Sequence, residues 1–103
     1  MAKGYWVGRV DVIKPEGYKA YGAAIVEPFR KYGAKFLVRG GTFEAVEGKA
    51  RGRNIVLEFK DYETALACYR SPEYKKAIAL RKGAVEIDII VIEGYDGPQL
   101  TEM

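Results

Sequence analysis

The sequence predicts an α+β domain with strands and helices in the order β-α-β-β-α-β. Right-handed connections then give a four-stranded antiparallel sheet, spatial order 4-1-3-2, with helices on one face. Three observations predict it. Four runs alternate in polarity with the period of a strand. Two segments between them carry apolar residues at helical spacing. Glycine and proline stand where those patterns change.

The first strand covers residues 5–12, where aromatic and β-branched residues alternate with polar ones. Pro15 and Glu16 open the first helix, since proline suits the first turn and acid suits its positive end. Its stripe is Tyr18, Tyr21, Ile25, Phe29 and Tyr32. Pro28 interrupts that stripe and predicts a kink or local break, and Gly33 stops the helix. Residues 34–39 form the second strand. Gly40-Gly41 predict a bulge or bend, and residues 42–47 resume strand character. Residues 48–52 make a hairpin connection into the third strand, residues 53–59.

Asp61 caps the next helix, whose inner positions are Tyr62, Ala65, Leu66 and Tyr69. Ser71-Pro72-Glu73 restarts a helix, with Ser71 as cap and Pro72 at its first position. Tyr74, Ala77, Ile78 and Arg81 share one side of it, and Gly83 ends it. Residues 86–93 are the last strand. One domain therefore spans residues 1–97, and residues 98–103 are a tail.

The two faces of the sheet are unequal. One parity is apolar: Trp6, Val10 and Val12; Phe36 and Val38; Ile55, Leu57 and Phe59; Ile87, Ile89 and Val91. The other mixes apolar residues with charge: Tyr5, Val7, Arg9 and Asp11; Lys35, Leu37 and Arg39; Val56 and Glu58; Asp88, Ile90 and Ile92. A face this apolar is unsuited to water, and one this charged is unsuited to a core. It predicts a partner surface, most simply a second copy of the chain. Across the strand order the charges read Asp88, Arg9, Glu58, Arg39, a ladder of alternating sign. Arg9, Glu58 and Asp88 are accordingly the expected dimer-interface residues.

Composition narrows the chemistry. The chain has 103 residues, 49% hydrophobic and 30% charged, with a net charge of +3. That is a globular composition rather than a disordered one. No apolar run reaches the roughly 20 residues that span a bilayer. No secretory signal is visible and there is one cysteine, so the expectation is a cytoplasmic protein without membrane association. There is no histidine, which excludes Ser-His-Asp triads, Cys-His pairs and histidine-ligated metal sites. Neither a metal nor a cofactor is expected. RNA-recognition domains share this element order, but the aromatic positions of their third strand hold Arg53, Ile55 and Glu58 here. Bases stack on rings, so no nucleic-acid partner is expected.

Gly4-Tyr5-Trp6, Tyr32-Gly33, the run Phe36 to Gly41, Val46-Glu47-Gly48, Glu58-Phe59, Ser71-Pro72-Glu73-Tyr74, Arg81 and Glu93-Gly94-Tyr95 stand together in order. This arrangement, over roughly residues 3–97, resembles the uncharacterised family called domain of unknown function thirteen-thirty. The resemblance implies a ferredoxin-like fold and a dimeric α/β barrel, in which two sheets face each other. Elsewhere in that superfamily are cofactor-independent monooxygenases, isomerases, haem-degrading enzymes and regulatory ligand-binding domains. The family itself has no assigned reaction.

The residues point to a small organic molecule as ligand. A cleft between sheet and helices, lined by Trp6, Tyr18 and Tyr69, suits a flat aromatic body. Arg39 with Gly40 and Gly41 can receive a carboxylate or phosphate. Tyr74, Arg81 and Tyr21 are the acid-base candidates. Tyr74 and Arg81 lie two helical turns apart on one side, and a cation beside a phenol is expected to lower its pKa. Each feature also has a plainer reading: aromatic core, a bulge, a helix cap at Ser71 and an inert buried Cys68. On that reading the protein is a non-catalytic dimeric module.

Overall fold

The computed structural model describes residues 2–102. The elements are β1 (Gly4–Val12), α1 (Pro15–Ala24), α2 (Val26–Tyr32), β2 (Lys35–Arg39), β3 (Arg53–Phe59), α3 (Tyr62–Arg70), α4 (Pro72–Arg81) and β4 (Val85–Glu93). A short 3₁₀ turn, Leu100–Glu102, follows. The strands form one antiparallel sheet in the order β2-β3-β1-β4, the expected 4-1-3-2. The helices cover one face, and the fold is ferredoxin-like. Among the described residues no helix is long and apolar enough to cross a membrane.

The local signals act as their chemistry requires. Pro28 has no N–H to give the carbonyl four residues back, at Ala24. The helix breaks there, and Val26 starts α2. Gly33 closes α2 in the left-handed region, at φ 69°. The Thr64 backbone N–H donates to Asp61 Oδ1 at 2.8 Å, capping α3. Ser71 accepts from the Tyr74 backbone N–H at 3.1 Å and donates to the Cys68 carbonyl at 2.7 Å, so one hydroxyl joins the end of α3 to the start of α4. Cys68 is buried, and burial pushes its thiol up to about 12.

Three expectations are corrected. Residues 42–47 form no strand; residues 41–50 are an exposed, irregular loop. Gly40, at φ 63°, turns the chain out of the sheet after its N–H bonds the Asn54 carbonyl at 2.9 Å. Of the two forms expected at the paired glycines, Gly40 makes the bend, and the bulge lies instead at Leu37: Phe36 faces Leu57 and Val38 faces Val56, leaving Leu37 extra. An extra residue reverses the alternation beyond it. Arg39 therefore stands opposite Ile55 and takes the helix-covered side, while Val38 takes the other.

The charge ladder falls with that register. Arg9 does face Asp88, but its neighbour on β3 is Asn54. Glu58 lies four residues further along, opposite Tyr5 and Lys35, and its ion-pair partner is Lys3 at 3.6 Å. The acidic edge is served instead by the loop. Arg51 reaches Asp88 and Asp11 at 2.8 Å each and Glu86 at 3.3 Å. Arg9 donates to the Lys49 carbonyl at 2.9 Å.

The side of the sheet away from the helices is uncovered. Arg9 and Asp88 are exposed there and Glu58 is half-buried. Around them Ile90 and Ile92 are 55% and 47% exposed, and Leu37 and Val38 are also open.

Candidate functional site: a cavity between sheet and helices

The helix-covered interior is filled at one end and hollow at the other. At the filled end Trp6 is buried against the rings of Phe29, Phe59, Tyr69 and Tyr74. Its indole N–H donates to the Ala65 carbonyl at 2.8 Å, which satisfies its polar atom. Two residues along β1 stands Gly8, between Ile55 on β3 and Ile89 on β4. Alternation places a large apolar side chain at such a position. Here there is none, and Gly22 on α1 also lines the space. The result is a cavity of about 110 Å³. The sheet side of its wall is Gly8, Val10, Ile55, Leu57, Ile87 and Ile89. The helices add Tyr18, Tyr21, Gly22, Ile25 and Phe29, and Trp6 joins it from the packed end.

The remaining wall residues come from β2 and β3: Phe36, Arg39 and Arg53. The Arg39 guanidinium lies over the Phe36 ring, 4.5 Å from its centroid. The Arg53 guanidinium is 5.9 Å from the centre of the Tyr18 ring. Gly40 makes room for it, since a Cβ there would collide with that guanidinium. Arg53 Nε is sealed from solvent and has no hydrogen-bond partner among the described residues. Among the described residues no carboxylate lines the cavity. The site is an apolar slot with two guanidinium groups in its wall, that of Arg53 half-buried and that of Arg39 exposed.

A chain of buried polar groups backs the helical wall. The Tyr21 and Tyr74 hydroxyls are 2.6 Å apart. Arg81 is buried and lies over the Tyr21 ring at 5.2 Å. Burial pushes the Tyr21 phenol well above its ordinary range, with the neighbouring Tyr74 adding to the rise. Burial also raises Tyr74, against the pull of its hydrogen bond to Tyr21 and of the Arg81 charge. The expected lowering of the Tyr74 pKa is thus reversed. A cation does favour the phenolate, but withdrawing that phenolate from water costs more. Burial thus favours the neutral, hydrogen-bonding form of both phenols. The Arg81 guanidinium is opposed by its own burial but is held above its ordinary value by the tyrosine hydroxyls around it.

Of the residues singled out from sequence, Trp6, Tyr18, Tyr21 and Arg39 line the cavity. Tyr74, Arg81 and Tyr69 do not. Tyr74 is wholly buried behind Tyr21, and Tyr69 packs 5.6 Å from Trp6 and 5.2 Å from Tyr74. Gly40 acts through Arg53, and Gly41 is exposed in the loop without touching the cavity wall. Arg9, Glu58 and Asp88 belong to the opposite face of the sheet. Arg53, Gly8 and Gly22 were not anticipated. A signal existed for two of them: Arg53 is a cation on the apolar parity of its strand, and Gly8 interrupts a strand interior, where a glycine marks close approach or a ligand. Among the described residues no cluster of acidic, cysteine or histidine side chains can hold a metal ion.

Comparison with known proteins agrees with this architecture. No curated protein matches the chain. Among solved structures, a protein of unknown function from Rhodopseudomonas palustris, RPA0582, is 19% identical with a TM-score of 0.73, covering 93% of this chain and 85% of its own. SnoaB, a cofactor-independent oxygenase from Streptomyces nogalater, is 12% identical with a TM-score of 0.60, covering 99% and 100%. A dimeric ferredoxin-like protein of unknown function from Thermobifida fusca is 9% identical with a TM-score of 0.59, covering 89% and 91%. At these identities the likeness is one of fold. The family is set by sequence: residues 3–95 match the model described as domain of unknown function (DUF1330), and the chain belongs to that family.

Proposed function

We propose that two copies of this chain pair through their open sheet faces and that each holds a small organic molecule in the cavity beneath its helices. The observation that carries the binding role is the hollow at Gly8 and Gly22, walled by aromatic rings and two guanidinium groups. A preformed apolar slot with a few convergent polar groups is the usual form of a small-molecule site. Tyr21 is the hydroxyl best placed to meet the ligand, because it lines the slot and is held by Tyr74. As a neutral phenol it donates a hydrogen bond to charge developing on a bound molecule. Tyr74 and Arg81 position it from behind. A cofactor-independent reaction here would draw on that donor and on the cationic wall. The fold shared with SnoaB, itself a cofactor-independent oxygenase, is consistent with that chemistry.

The pairing rests on the uncovered face. Ile90, Ile92, Leu37 and Val38 form an apolar surface that water wets at a cost. Arg9 and Asp88, directly opposed on β1 and β4, would be partly desolvated together in a dimer. The unknown-function relative from Thermobifida fusca described as dimeric and ferredoxin-like supports this arrangement.

Two measurements test the reading. Sedimentation at micromolar concentration should give twice the chain mass of 11.5 kDa, and Ile90→Asp should give the single mass. A monomer at that concentration in both proteins would end the pairing. Fragment screening by amide chemical shift should move Gly8, Gly22 and Ile89 together. Shifts scattered over the surface, or none, would end the binding role.

A further inference from the structure

We infer that the molecule bound in this cavity carries a carboxylate on a single flat apolar ring, with the acid group held between Arg39 and Arg53. The inference rests on the cavity being a binding site and goes further by naming the ligand's chemistry.

Arg53 carries the argument. Its Nε is withdrawn from solvent and donates to nothing among the described residues. Leaving a buried charged donor unmatched costs free energy, and the guanidinium that carries it lines the cavity. The group is also held in place. One neighbour is the Tyr18 ring, and another is the backbone of Gly40, whose missing side chain leaves the space that the guanidinium fills. A donor fork fixed before binding loses little freedom when it binds.

Arg39 supplies the second fork. The extra residue at Leu37 puts it on the helix-covered side, with its guanidinium resting on Phe36. Gly40, next to Arg39 in the chain, touches Arg53, so the two cations share one corner of the cavity. With no acid on the wall, nothing there neutralises them.

The rest of the wall chooses the acid. A planar guanidinium matches a planar carboxylate in two parallel bonds. A phosphate commonly draws on backbone N–H groups at a helix start. Of the two helices that line the cavity, α1 opens on Pro15 and α2 carries Pro28 in its first turn, and neither proline has an N–H to offer. Beyond the two arginines the surface is Ile55, Ile87, Ile89 and aromatic rings, which favours an apolar body. A dry cavity of roughly 150 Å³ takes a benzene-sized molecule. The volume here, about 110 Å³, is on that scale.

Benzoate and benzamide are the probes, since they share a ring and differ in the acid. Calorimetric titration into the intact protein should give a Kd for benzoate at least tenfold below that for benzamide. Arg53→Met and Arg39→Met should each weaken benzoate at least tenfold and leave benzamide within twofold. Arg53→Gln takes the place of Arg53→Met if the latter melts below the assay temperature. Equal binding of the two probes, or benzoate binding unchanged in both arginine variants, would overturn the acid while the cavity still binds. If benzoate, benzamide and benzene all leave the amide shifts of Gly8 and Gly22 unmoved, the binding role fails together with it.

Discussion

Trp6 and Gly8 are neighbours on the same side of β1, and they meet opposite surroundings. Trp6 is enclosed by rings and has its one polar atom satisfied. Gly8 faces an empty volume with two arginines at its edge. One layer of the molecule is thus divided between a packed core and a cavity. The packed end buries Phe59, Tyr74, Ala65, Cys68 and Ala77 almost completely. Small residues at the helix positions let the large rings interlock there. The hollow end keeps its shape because the packed end fixes the strands and helices that border it.

The sharpest way to break this contrast is to hollow the packed end. Trp6→Ala removes the central ring of the cluster and its bond to Ala65. A large-to-small change of this kind costs about 3–5 kcal/mol. Urea unfolding followed by fluorescence of a tyrosine-only background, or by circular dichroism, reads the loss. A cost below about 1 kcal/mol would mean that the core is seated elsewhere.

Filling the hollow end should do the reverse. A Cβ on Gly8 meets Ile89 Cγ1 at 3.6 Å, an ordinary contact. Valine also suits a strand better than glycine. Gly8→Val is therefore expected to change stability by no more than about 1 kcal/mol while its methyl groups occupy the cavity. Benzoate binding should disappear. A variant that is as stable as the parent and still binds would place the ligand outside this cavity. One that loses several kcal/mol would show Gly8 to be needed for packing.

The sequence carries the packed end more openly than the hollow one. Trp6, Leu57 and Phe59 follow strict alternation, and Tyr74 and Ala77 sit at helical spacing, so their inward direction follows from period alone. Asp61, Pro28 and Ser71 mark helix boundaries through chemistry that acts within a few residues. The hollow end depends on longer-range facts. The bulge at Leu37 reverses the direction of Arg39, and nothing local in Phe36-Leu37-Val38 announces it. The ladder of Arg9, Glu58 and Arg39 failed for the same reason, because register is set by pairing across strands. Arg53 and Gly8 are exceptions to otherwise regular patterns. Each looks like a defect in a strand until the other is placed beside it.

The interior and the perimeter of the molecule also differ in how they respond to pH, with the smaller effect at the acid end. In the interior, Tyr21 and Tyr74 have folded pKa values raised above the ordinary value near 10. The unfolded chain ionises them first, so the folded state is favoured below about pH 10 and loses ground as pH rises past it. At the perimeter, Asp11 is lowered by the Gly52 N–H, and then by Arg51 against slight desolvation. Asp61 is lowered by Thr64, and Glu73 by Lys31 at 2.8 Å. Their unfolded values lie near 3.9 and 4.3. The stability they add is present above about pH 5 and fades as pH falls through their lower folded values. Tyr21→Phe should flatten the alkaline fall and leave the acid one unchanged. Asp11→Asn with Asp61→Asn and Glu73→Gln should flatten the acid fall and leave the alkaline one unchanged. Urea midpoints at pH 3, 7 and 10.5 separate the two limbs. If the tyrosine variant altered the acid limb as well, the interior and the perimeter would be coupled rather than independent.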